Sequence, residues 1–188
     1  PAPPTSSPFL FSPLCPCMSA EEVGDEKGLP PFGVNSRVAR LWISPLHFDE
    51  SSGELKPAAI SKQDFDDSNR GFSVDDVTDL SDADLWARVV AFAEMKTSQK
   101  KIAHNPKSAW RAFVTQIENI EISDQPGVKV FEVVRHPVDG NDRHCNVFCS
   151  IKFSRSEFMK ARFELRALLS RDVVDLKKHN NDQKKPSH

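Results

Sequence analysis

The residues most able to do chemistry in this chain cluster in one stretch, VVRHPVDGNDRHC, from Val133 to Cys145. It holds His136 and His144, with Asp139 and Asn141 between them and Arg135 and Arg143 beside them. Neutral imidazole works as a general acid or base near pH 7. A neighbouring asparagine can fix a ring or a ligand amide through oriented hydrogen bonds. His144 and His136 are therefore the candidate catalytic residues. The same letters are also ordinary turn chemistry, because Asp-Gly-Asn closes a hairpin without any function. A second pair lies early in the chain. Arg40 stands inside an apolar run, where a charge must find water or a partner. His47 follows just after that run ends.

The other reactive residues point elsewhere. Cys145 and Cys149 are four apart, which invites a zinc reading. On a strand, however, same-face residues four apart lie about 13 Å apart, too far to share one ion. Cys145, Val147, Cys149, Ile151 and Phe153 then form one apolar face, where free cysteine behaves as a small hydrophobe. No metal site and no cofactor is expected, since phosphate-loop, zinc-protease, nucleophile-elbow and paired Cys-x-x-Cys motifs are all missing from the sequence. On the C-terminal helix Arg155, Arg162 and Arg166 fall within about 40° of one line. They could grip an acidic partner, or they form the solvated rim of an amphipathic helix.

These residues must be positioned by a modest set of elements. Arg37 to Ile43 (RVARLWI) reads as a strand closed by Pro45. Residues 58–70 are a polar connection, and Gly71 to Asp75 is a short strand, read as an edge strand or a strand start. Ser81 and Asp84 approximate a capping box before a helix over residues 82–96. Ala109 to Val114 suits a strand better than a helix start. Val128 to Val134 alternates as a strand, and Cys145 to Phe153 is its hairpin partner. Ser154-Arg155-Ser156-Glu157 is a capping box opening a helix over residues 155–170. Phe158, Ala161, Leu165, Leu168 and Leu169 form its apolar stripe. The expected class is α+β: a small, mainly antiparallel and curled sheet packed by two helices.

Residues 1–36 carry 8 of the 14 prolines and little periodic apolar pattern, which predicts a disordered leader. The first methionine is Met18, so residues 1–17 read as upstream of the native start. Residues 37–174 form one globular domain, and 175–188 a disordered polar tail. A net charge of -2 gives no general attraction to nucleic acid or an anionic membrane. No run reaches the ~18 apolar residues of a membrane span. The two close cysteine pairs, Cys15/Cys17 and Cys145/Cys149, would cross-link little chain, which suits a reduced, cytoplasmic protein.

The order of the pieces resembles a loosely defined set of small bacterial proteins with no known activity. The matching segments are Arg40 and His47, then Lys56-Pro57-Ala58-Ala59-Ile60, then Gly71-Phe72-Ser73-Val74-Asp75, and His136-Pro137 with Asn141 and His144. Ile60 replaces an aromatic of that pattern and Phe72 a leucine. The resemblance implies that Arg40, His47, Ser73, Asn141 and His144 belong together. Polar groups at strand ends and turns can converge at one end of a curled sheet, where this set would suit a small anionic or nucleotide-like ligand. The leading expectation is thus a non-enzymatic accessory or binding protein whose partner is an unknown protein or a small anionic ligand. The alternative is a histidine-dependent, metal-independent enzyme on a phosphate-ester or nucleotide-like substrate, with Arg40 holding the anion.

Overall fold

The computed structural model describes residues 30–61, 63–66, 71–122, 125–149 and 154–175. The expected leader and tail therefore lie almost wholly outside the described residues. Within them the fold is α+β: one open six-stranded antiparallel sheet with a long helix on each face.

The strands are β1 (Arg37–Ser44), β2 (Phe72–Asp76), β3 (Asn105–Phe113), β4 (Glu121–Ile122), β5 (Gln125–Lys129), β6 (Phe131–Arg135), β7 (His144–Cys149) and β8 (Asp172–Asp175). The main sheet runs β6-β7-β2-β1-β3-β8, and β4 with β5 forms a separate two-stranded ribbon. The helices are α1 (Gln63–Asp66), α2 (Asp82–Lys100), α3 (Val114–Glu118) and α4 (Arg155–Leu169).

Strand β1 is apolar on both faces because it is interior, as such runs usually are. Val38 and Trp42 enter one core with Phe72, Val74, Cys145 and Val147, covered by Phe158, Ala161, Leu165, Leu168 and Leu169 of α4. Ala39 and Ile43 enter the other, beneath Leu85, Trp86, Val89 and Ala93 of α2. Both long helices start as expected: Ser81 and Asp84 cap each other reciprocally, and so do Ser154 and Glu157. The two boxes each satisfy two amides that the first turn leaves open.

Several expectations change. Strand β2 is no edge; it sits between β1 and β7. Helix α2 continues past residue 96 to Lys100, and β3 begins at Asn105 rather than Ala109, which leaves only a short turn between them. Lys101 closes the helix in the left-handed region at φ 55, with its amide on the Thr97 carbonyl. The run 128–134 breaks at buried Val130: β5 pairs with β4, whereas β6 pairs with β7. Strand β8, at the border of the expected tail, adds a new edge on β3.

Candidate functional site

Helix α2 packs on β3, β1 and β8, which leaves the β2–β7 part of that face to the hairpin loop. Between the helix and the loop lies a cleft of about 470 Å³. Arg40, Ser73, Asn141 and His144 all line it, together with Asp75, Arg88 and Lys96. The lining residues include three cations and two carboxylates, Asp75 and Asp139.

Sheet register explains how separate segments meet. Residues opposite one another in an antiparallel pair share a face. Ser73 is opposite Asn146, and Asp75 is opposite His144, so Ser73, Asp75 and His144 project to the α2 side. Cys145 and Val147 project to the opposite core, as the alternation predicts. Burial pushes the Cys145 thiol up to about 12, which makes it inert at neutral pH.

The loop is built as a hairpin first. Val138 and Asn141 bridge each other across a turn in which Gly140 has φ 79. The His136 amide bonds the His144 carbonyl at 2.9 Å. Asn141 then leaves the turn to act as a clamp. Its Nδ2 donates to Asp75 at 2.8 Å, and its Oδ1 accepts from Arg88 Nη2 at 2.9 Å. Arg88 closes the ring on Asp75 at 2.7 Å. Asp75 and Arg88 were not singled out from the sequence. Alternation from Ser73 would have placed Asp75, but Arg88 becomes visible only once α2 is docked.

The histidines divide sharply. His144 Nδ1 lies 2.8 Å from the His136 carbonyl oxygen, and its Nε2 lies 2.9 Å from Ser73 Oγ. A carbonyl only accepts, so Nδ1 carries the proton. In the neutral ring Nε2 is then bare and accepts from the serine hydroxyl. His136 contributes that carbonyl; its ring is exposed, 6.1 Å from that of His144. His47 does not line the cleft. Its ring meets Trp42 edge-on at 5.1 Å, on the opposite face, and Nδ1 accepts from the Ile43 amide at 3.1 Å. Burial, with Arg40 as the second cause, pushes His47 down to about 3. It is a neutral structural ring that secures the turn after β1.

Arg40 is the odd member. It leaves β1 on the Trp42 side, yet β1 and β2 are in register at only two residue pairs. Beyond these its Nη1 reaches the Ser73 carbonyl oxygen at 2.6 Å. The guanidinium lies 4.9 Å from the Phe72 ring centre and 5.5 Å from that of Trp42. Its Nε is shielded from solvent and has no partner among the described residues. No described carboxylate forms an ion pair with it; burial lowers its pKa, against the longer-range pull of Asp64 and Asp75.

The flanking arginines are spent on structure: Arg135 pairs with Asp76 at 2.5 Å, and Arg143 with Asp79. On α4, Arg162 donates to the Pro57 carbonyl and Arg166 is exposed. The side chain of Arg155 is outside the described residues. The three are on the far side of the sheet from the cleft, with α4.

No family model, curated protein or solved structure matches this chain.

Proposed function

We propose that the protein binds a small anionic ligand in the cleft between α2 and the 138–141 turn. The observation that carries this reading is Arg40. A desolvated guanidinium without an ion-paired carboxylate is costly, and Arg40 is among the residues that line the cleft. An anionic ligand would supply the missing charge and accept the bond that Nε offers. A bidentate fork suits phosphate and carboxylate alike. Ser73, His144 and the Asn141 clamp would fix the rest of the molecule. The chain thus acts as a small accessory or binding protein.

Thermal shifts with inorganic phosphate, a nucleoside monophosphate and succinate test this at matched ionic strength. A ligand at about a hundred times its Kd adds about 2.7 kcal/mol, roughly 5–10 °C for a domain of this size. The shift should vanish in Arg40→Met and weaken in His144→Ala. If no anion moves the wild-type midpoint, or if Arg40→Met responds equally, the reading is wrong. A second reading, an enzyme on a phosphate-ester or nucleotide-like substrate with His144 as acid/base, is favoured by the Nε2 that meets Ser73 Oγ at 2.9 Å, both residues lining the cleft.

A further inference from the structure

The bond between Ser73 and His144 does more than tie β2 to β7. A nucleophile, its base and the group that orients the base are all in place. The serine hydroxyl is 2.9 Å from Nε2, and the other ring nitrogen is anchored at 2.8 Å on a backbone carbonyl. That is the relation by which a serine is activated on unrelated folds. Asp75, opposite His144 on the same face, is held by Arg88 and Asn141. We infer that Ser73 is a nucleophile, His144 its general base, and that the cleft transfers acyl groups from esters bearing a separate anionic group. The anionic part of this inference rests on the ligand reading above, with Arg40 as its anchor.

The chemistry favours acyl over phosphoryl transfer. A phosphoryl transition state spreads charge over three oxygens and calls for several cations. Arg88 is already committed to Asp75 and Asn141, which leaves Arg40 as the guanidinium beside Ser73. Acyl transfer develops charge on one oxygen. In the first step Ser73 Oγ bonds to the acyl carbon while its proton moves to His144 Nε2. The carbon–oxygen bond to the leaving alcohol then breaks, and His144 returns the proton to that alkoxide. Water, deprotonated by His144, attacks the acyl-serine. The carboxylic acid departs and Ser73 recovers its proton.

The test uses the full chain with a fluorophosphonate probe, and with mono(4-nitrophenyl) succinate against 4-nitrophenyl acetate. Intact mass and peptide mapping should place the adduct on Ser73. Ser73→Ala should abolish it, and His144→Gly should slow labelling and turnover about 10²–10⁴-fold, with partial rescue by added imidazole. A purely structural bond would give no imidazole rescue. The anionic ester should turn over faster than the acetate, and Arg40→Met should erase that preference. If the folded wild-type protein is not labelled at Ser73 while anions still raise its melting midpoint, the nucleophile is refuted and the ligand reading stands. Labelling at Ser73 with no preference for the anionic ester refutes the substrate class and the role of Arg40 together.

Discussion

Two arginines on neighbouring strands show how this fold separates structure from site. Arg111 of β3 is buried and fully answered. Its Nε and Nη2 each meet Asp172 at 2.9 Å, and its Nη1 meets Asp82 at 2.6 Å. Burial opposes its charge, but Asp172 and Asp82 outweigh that and raise its pKa. The result ties β3 to β8 and to the start of α2. Arg40 of β1 has aromatic rings, one backbone carbonyl and an idle Nε instead. Both side chains lose water; only one finds carboxylates. A closed charge network holds a fold together, whereas an open one beside a cleft asks for a ligand.

The largest expected effect comes from acid. His47 has its pKa lowered to about 3 by burial first and Arg40 second, against about 6.5 when unfolded. The unfolded chain therefore binds the extra proton first. The stabilisation is whole above pH 6.5 and is lost as pH falls toward 3. At pH 4 the loss should reach about 3 kcal/mol, read from urea unfolding midpoints. Arg40→Met should lift the His47 pKa and shrink that loss, while Arg111→Met should leave it unchanged. Equal acid slopes in both variants would erase the distinction between the two arginines.

At neutral pH the ranking reverses. Arg111→Met removes the guanidinium's bonds to two carboxylates, whose side chains are 25% and 41% exposed, so water recovers part of the cost. A loss of about 2 kcal/mol is expected. Arg40→Met removes an unneutralised charge and one hydrogen bond and should change stability by less than about 1 kcal/mol, although ligand response disappears. Denaturant melts of the two variants side by side check this. A similarly small effect belongs to Asn141→Ala. Its clamp partners Asp75 and Arg88 still pair with each other, so about 1 kcal/mol or less is lost. Ligand-induced midpoint shifts should nonetheless fall, because the turn is no longer pinned over the cleft.

Much of the frame was legible in the residues themselves. Two Ser-x-x-acid boxes gave two helix starts, and the apolar stripe of α4 entered the core residue for residue. The alternation from Cys145 to Cys149 assigned its faces correctly. The interior place of β2 was not legible, since Gly71 to Asp75 is short and half polar; it is interior because β1 and β7 flank it. The break at Val130 escaped notice because a period-2 pattern carries no sign of which partner each half pairs with. The site was half legible. Imidazole, amide and turn residues marked Asn141 and His144, whereas Ser73 and Arg40 were grouped with them through resemblance. Asp75 and Arg88 needed the register of β2 against β7 and the docking of α2. His47 looked like a surface residue at a strand end; the turn at Pro45 folds its ring back beneath Trp42, which removes it from the cleft.

The central claim is that Arg40, unlike Arg111, awaits an anion. The arginine Nε–Hε region of a ¹H–¹⁵N correlation spectrum tests it directly during titration with a nucleoside monophosphate, with Arg40→Met and Arg111→Met used to assign the two resonances. The account predicts that the Arg40 signal moves in a saturable manner while the Arg111 signal stays in place. An unmoved Arg40 signal, or equal movement of both, would contradict it.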